Sequence, residues 1–400
     1  MVAGHIGGLL CSCDESGSRL KYPPAIAHPT PLIQPLTRRR FLGWGLATAA
    51  VAVGVGSSRL FLSAVAPDRA TLSWLSPRGT LAVVDDYPIW VALGRGYLAK
   101  LGIDLHVVED TGSPPLEPEP LPGMLITFPS PARLVSLIDR GLPTRAIFQL
   151  CSGSAFGFAL RAGAKASRPQ DLAGATIAVG ADSWREIVDP LLVEANVDPR
   201  GVRLLVAGSS WLKAATEGIA DAALSWRGLE GSKDGRGLRH LVGDPWSRFP
   251  SNAYAIDDPD HLGHSEMDAL TRFLQAVVMG LEFAQENPRG AAQITYRSAP
   301  GLESAMSPQA AVDALGVTST LYSSGRSRGL PWGMHEEQRW ERYVGAAEKS
   351  GLIKSLDPRT VYTNRLVSAA NAVDISLVRQ DAAAFELDRD FRNANNPRRG

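Results

Sequence analysis

Side chains able to do covalent or metal chemistry are scarce in this chain, and their spacing argues against most catalysis. Cysteine occurs three times, as Cys11, Cys13 and Cys151. The first two lie in the N-terminal stretch, so Cys151 is the only thiol of the body. An intramolecular disulfide there is impossible, and a four-cysteine zinc site is excluded. With no histidine near it in sequence, Cys151 reads as a small apolar packing residue rather than a nucleophile. One histidine pair, His261-Leu-Gly-His264, stands beside Asp257, Asp258 and Asp260. It has no third ligand at a diagnostic spacing, which makes it a polar turn rather than a metal centre. The phosphate-loop and His-Glu-x-x-His motifs are absent. The expectation is a chain without catalytic group, metal or cofactor, which is not an enzyme.

What does recur is a polar or aromatic residue just beyond a β-rich run. Asp85, Asp86, Tyr87 and Trp90 follow the run Thr80–Val84, and Ser130 follows Met124–Thr127. Ser152 and Ser154 follow Arg145–Leu150, while Ser183, Trp184 and Arg185 follow Thr176–Val179. Trp226, Arg227 and Glu230 follow Ala220–Leu224. In open parallel sheets the ligand crevice lies outside the carboxyl ends of the strands, where helix N-termini also direct free N–H groups. Tryptophan faces there offer area at little conformational cost. These residues, with Asn252, are the expected ligand contacts; each aromatic could equally be core packing.

The elements that must position them alternate. Further strands are expected at Ile103–Val108, Phe156–Arg161 and Val202–Val206, and helices at Pro88–Arg95, Pro131–Arg140, Trp184–Ala195 and Trp211–Gly218. This alternation signals an α/β protein with a largely parallel sheet. Ile103, Leu105 and Val107 alternate with polar residues and suit an edge, whereas Ile177-Ala178-Val179 suits a strand covered on both faces. From Ser265 the pattern turns helical, with Leu270, Phe273, Leu274, Val277, Val278 and Leu281 on one face up to Asn287-Pro288, then Pro308–Leu315 and Glu336–Ser350.

The run Asp86-Tyr-Pro-Ile-Trp-Val-Ala-Leu-Gly-Arg-Gly-Tyr-Leu-Ala-Lys-Leu-Gly-Ile-Asp-Leu105 resembles the opening of the substrate-binding proteins of ABC importers for sulfonates, nitrate, taurine and thiamine-precursor pyrimidines. Arg168-Pro-Gln-Asp-Leu-Ala-Gly-Ala-Thr-Ile-Ala-Val-Gly180, Gly218-Ile-Ala-Asp-Ala-Ala-Leu-Ser-Trp226 and the segment Gly351-Leu-Ile to Asn364 follow in the expected order. The resemblance implies a two-lobed type II periplasmic-binding-protein-like fold with a hinged cleft and a helical C-terminal part. Lobe 1 would hold residues 71–153 and 253–400, and lobe 2 residues 154–252. It also implies a small-molecule ligand and an ABC permease as partners. Pro122-Gly-Met-Leu-Ile-Thr-Phe-Pro-Ser130 departs from the usual Gly/Ala-Asp-Ala/Phe-Gly pattern, so the pocket floor differs. Two alternatives share the fold or the cleft: a thiamine-pyrimidine synthase-like enzyme, and a ligand-sensing module for a membrane sensor. The enzyme type has a cysteine cluster, which this chain lacks.

Forty-one Lys plus Arg balance 41 Asp plus Glu, so a nucleic-acid backbone is an unsuitable partner and a monomer is expected. Residues 1–36 show no sustained period and read as a disordered extension. Thr37-Arg-Arg-Arg-Phe-Leu42 then precedes an uncharged Ala/Gly/Val run, Gly43 to Gly56, which resembles a twin-arginine signal peptide over residues 37–66. Ala64-Val65-Ala66 offers a cleavage site. The chain is therefore expected in the periplasm, or anchored to the membrane if uncut.

Overall fold

A β-prone run with Leu72, Ser73 and Trp74 all buried makes Ala70–Ser76 the first strand, β1, covered on both faces. It opens a computed structural model that describes residues 68–76, 81–109, 121–229, 234–235 and 237–396, all within the unit Ala64–Gly400. The expected strand Thr80–Val84 does not form. Val83 N–H bonds back to the Leu81 carbonyl in a turn, and Leu81 and Val84 are buried as loop anchors; Thr80 lies outside the described residues, as do the extension 1–36 and the signal segment 37–66.

The remaining strands are β2 (Ile103–Glu109), β3 (Met124–Thr127), β4 (Thr144–Gln149), β5 (Phe156–Arg161), β6 (Thr176–Val179), β7 (Arg203–Val206), β8 (Ala222–Trp226), β9 (Leu238–Val242) and β10 (Ala253–Asp257). Among the described residues they form two five-stranded sheets, ordered β2-β1-β3-β10-β4 and β7-β6-β8-β5-β9. β2 is an edge and β6 is interior, as their side-chain patterns predict. Both sheets are mixed rather than largely parallel. β10 runs antiparallel to β3 and β4, and β5 antiparallel to β8 and β9, whereas β1, β2 and β3 are parallel, as are β6, β7 and β8. β9 and β10 carry no signal of their own in sequence, being short and flanked by Gly and Pro.

The first sheet is covered by helices Tyr87–Gly94, His264–Glu286 and Pro288–Ser298, whose apolar faces make one core. The C-terminal helix Glu337–Ser350 departs from a clean assignment to the first lobe. Its Trp340, Tyr343, Val344 and Ala347 lie in the same apolar cluster as Ile177, Val188 and Leu191 of the second sheet and its helix, and as Leu134 and Val135 of helix Pro131–Asp139. This cluster packs the two lobes together along one side.

Two chain segments cross between the sheets, from β4 to β5 and from β9 to β10. Gln149, the last residue of β4, joins them: its side-chain amide donates to the Ser251 carbonyl at 2.7 Å and the Asn252 carbonyl at 3.1 Å. Its Oε1 lies 3.1 Å from Nδ1 of His335, which is 3 % exposed and also receives the Trp340 indole N–H at 3.2 Å. Burial holds the His335 imidazole neutral, with its pKa pushed from 6.5 down to about 3.

That shift fixes the sign of a pH effect. The unfolded chain takes up a proton on His335 below pH 6.5 and the folded one does not, so its contribution is complete above 6.5 and is lost as pH falls toward 3. The loss reaches at most about 1.4 kcal/mol per pH unit. Urea midpoints measured from pH 7 to pH 4 should fall less steeply in His335→Gln than in the parent; equal slopes would contradict the buried neutral ring.

Candidate functional site

The strand directions define a cleft. β4 leads at its carboxyl end into β5, and β5 is antiparallel to β8, so the amino end of β5 lies at the edge where β6 and β8 end. β9 likewise ends at that edge and leads to the amino end of β10, beside the carboxyl end of β4. The two crossings therefore bring the carboxyl edges of the two sheets face to face, where open α/β sheets hold ligands.

The second-lobe wall carries three tryptophans. Trp184 follows β6, Trp211 opens the helix after β7, and Trp226 ends β8. Trp211 and Trp226 stack at 5.9 Å with an 18° interplanar angle, and the Trp184 ring meets both edge-on at 5.2 and 6.0 Å. The Trp211 indole N–H donates to the Leu224 carbonyl at 3.0 Å, which fixes the middle of the group. Gly180 makes room for it: a Cβ there would stand 2.6 Å from the Trp184 ring. All three remain half-buried. Ser183 and Arg185 beside them are exposed, and Arg185 leans toward Asp189 at 3.7 Å. Glu230 lies outside the described residues.

The next residue, Arg227, faces a cavity of about 660 Å³. Its guanidinium donates to the Val242 carbonyl at 2.9 Å. Asp244 lines the same cavity from the second crossing, and helix Pro308–Tyr322 of the first lobe supplies Asp313, Val317, Thr320 and Leu321. Asp244 is the centre of an ion cluster. Arg339 bonds both its oxygens at 2.6 and 3.1 Å, Arg328 stands 4.0 Å away, and Glu336 in turn accepts from Arg328 and Arg339 at 2.5 and 2.9 Å. Burial pushes the Asp244 carboxyl up, but the Arg339 hydrogen bonds and charge outweigh it and hold it below the usual carboxylate range. Asp244 also accepts from the Ser154 N–H at 3.2 Å, so one carboxylate clamps both crossings.

Of the first-lobe residues expected at the pocket, the structure brings some to the edge and withdraws others. The Asp85 carbonyl accepts from Tyr322 Oη at 2.9 Å, and its carboxylate points at Gly228 of the second lobe. Ser130 caps helix Pro131–Asp139 through the Arg133 N–H, and Ser152 packs against Gly325. Ser154 is buried, its hydroxyl bonded to the Phe156 carbonyl, and Asn252 donates to the Phe128 carbonyl across the crossing. Tyr87 and Trp90 are corrections: at 0 % and 5 % exposure they belong to the first-lobe core, with Tyr87 stacked on Tyr322 at 5.7 Å. Helix Tyr87–Gly94 is apolar on all sides and is buried as such a helix must be. Asp86, the residue before it, is fully buried too.

A family profile described as NMT1/THI5 like matches residues 85–291, a span that takes in every described strand but β1 and both crossings. The chain belongs to the NMT1/THI5-like family. A search of curated proteins gives no match. Among solved structures, this NMT1/THI5-like chain is similar to a protein of Bordetella bronchiseptica RB50, at 15 % identity over 76 % of this chain and 97 % of that one, with a TM-score of 0.50. It is also similar to SsuA of Methylobacillus flagellatus KT, a sulfonate ABC transporter periplasmic sulfonate-binding protein, at 11 % identity over 82 % and 99 %, with a TM-score of 0.50. The desulfurization enzyme DSZB matches at 14 % identity over 76 % and 99 %, with a TM-score of 0.49. The NMT1/THI5-like chain has the α/β periplasmic-binding-protein fold.

Sequence reasoning passes over Trp211, Asp244 and Arg339. The strand-end rule reaches Trp211 only when the end of β7 is followed one helix further. Asp244 is hidden with β9, the strand it follows. Gly325-Arg-Ser-Arg-Gly329 has the spacing of a hydrolase nucleophile elbow, but it lies in the turn after helix Pro308–Tyr322 and Ser327 Oγ donates to the Ser324 carbonyl. His261 bonds Asp258 in an exposed turn, and no three-residue metal-binding group occurs among the described residues.

Cys151 is 2 % exposed and donates to the Gly153 carbonyl. Burial pushes its thiol up to about 12, so it is protonated at neutral pH. In a Cys11→Ser, Cys13→Ser chain, a thiol reagent at pH 8 should label Cys151 only once urea unfolds the protein; labelling of the native protein within seconds would contradict this burial.

Proposed function

We propose that this protein is the extracytoplasmic solute-binding component of an ABC import system, capturing a small organic molecule between its lobes and presenting it to a membrane permease. The reading rests on the pair of facing carboxyl edges, with three tryptophans at the strand ends of the second lobe and a cavity that starts at Arg227, the residue after Trp226, and is lined from the first lobe by helix Pro308–Tyr322. The cavity of about 660 Å³ falls in the range of small-molecule sites, roughly 300–1,000 Å³. Ligand contacts are assigned to Asp85, Ser130, Ser152, Ser183, Trp184, Arg185, Trp211, Trp226, Arg227 and Asn252. Three tryptophans suit a ligand with a flat or sizeable apolar body better than a bare nitrate-sized ion. The name of the Methylobacillus flagellatus neighbour supports an organic sulfonate as one candidate class. Binding by closure of the lobes requires no catalytic group.

A thermal-shift screen of the chain from Asp68 onward, against sulfonates, pyrimidines, flavins, polyamines and nitrate, tests the reading. A ligand at ~100 times its dissociation constant stabilises by ~2.7 kcal/mol. Trp226→Ala should abolish that shift while leaving the ligand-free melting point close to the parent's. A variant that melts early yet binds normally would make Trp226 a core residue and defeat the site assignment.

Export by the twin-arginine route and action as a periplasmic monomer complete the proposal. Among the described residues no helix is long and apolar enough to cross a membrane. Replacing Arg38 and Arg39 with Lys should retain the full chain in the cytoplasm; undiminished periplasmic yield would overturn the route.

A further inference from the structure

We infer that Gly228 and Asp85 form the stop that sets how far the two lobes close. Gly228 stands in the turn Arg227–Leu229 that follows β8, in the second lobe. A Cβ on it would lie 2.7 Å from Asp85 Oδ2, a distance a side-chain carbon does not take up without displacing its neighbour, and a tight 3.0 Å from Oδ1. The lobes thus meet at a point where the absence of a side chain is what permits the approach.

Both sides of the contact are held. On the first-lobe side the Asp85 carbonyl takes the Tyr322 hydroxyl at 2.9 Å, Tyr322 is 4 % exposed, and its ring stacks on Tyr87. Asp85 is therefore a short side chain on a fixed backbone, with only two torsions by which to yield. On the second-lobe side Arg227 bonds the Val242 carbonyl and ties the turn to β9. Tyr322 acts here as a positioning residue, since its hydroxyl holds the backbone that presents the Asp85 carboxylate. Because the same turn and the same helix Pro308–Tyr322 line the cavity, the stop also sets the cavity's width.

The inference rests on the receptor reading in that it concerns closure of the lobes, but it can be read without any solute. Spin labels at Leu142→Cys and Ile219→Cys, both well exposed and one on each lobe, report the interlobe distance in a Cys11→Ser, Cys13→Ser chain, where buried Cys151 stays unlabelled. Gly228→Val should move the ligand-free distance distribution away from the parent's, and adding Asp85→Ala should return it. Gly228→Ala, whose backbone needs no unusual φ, should produce the same shift in smaller measure and serves if the valine variant fails to fold. An unchanged distribution in the alanine and valine variants overturns the stop, and so does a shift that Asp85→Ala leaves in place. An empty solute screen would sink the receptor reading while leaving these distances to be judged alone.

Discussion

The side-chain amide of Gln149 ends β4, and its bonds to Ser251 and Asn252 hold the two crossings side by side. An amide buried to 4 % exposure must find such partners or incur the desolvation cost of an unmet polar group. The geometry of the candidate site depends on this constraint. With the crossings paired, the sheets can only meet by their carboxyl edges, and Asp244 can reach the Ser154 N–H from one crossing to the other. Arg339 then anchors that joint to helix Glu337–Ser350, which is itself packed into the apolar cluster shared by both lobes. One side of the cleft is therefore an apolar, packed seam, while at the other the lobes meet through the turn Arg227–Leu229 and Asp85.

Charge within the cleft is arranged with the same economy. Asp244 and Glu336 are matched by Arg328 and Arg339, so the cluster at the joint is close to neutral. On the proposed reading, selectivity would fall to the tryptophan wall and to the groups lining the cavity. Tryptophans packed on one another, with the central indole bonded to backbone, are preorganised and would lose little entropy under the ligand proposed here.

Much of the first half is legible in the amino-acid sequence. Met124–Thr127, Phe156–Arg161 and Thr176–Val179 have the bounds their β-rich runs suggest, because each is a short apolar segment closed by turn residues. Thr80–Val84 misleads because Leu81 and Val84 are apolar for the sake of burial, not pairing. β10 cannot be read at all: its Ala-Tyr-Ala-Ile-Asp acquires strand geometry from β3 and β4, which lie more than a hundred residues earlier in the chain. The site divides in the same way. Trp184 and Trp226 are recognisable because strand ends are local features, whereas Asp244 and Arg339 meet only through the tertiary fold.

The order β2-β1-β3-β10-β4 also governs how the protein comes into being. β4 has no hydrogen-bonded place in its sheet until β10 arrives between it and β3, and the whole second lobe is encoded in between. In the second sheet β5, the first strand made, waits for β8 and β9. A ribosome that has released only the residues before Ala253 therefore holds an incomplete first sheet, with the edge of β3 open. Such long-range closure makes folding slow and leaves sticky edges in the nascent chain. The first lobe, although it begins the fold, is the last part of the sheet framework to be finished.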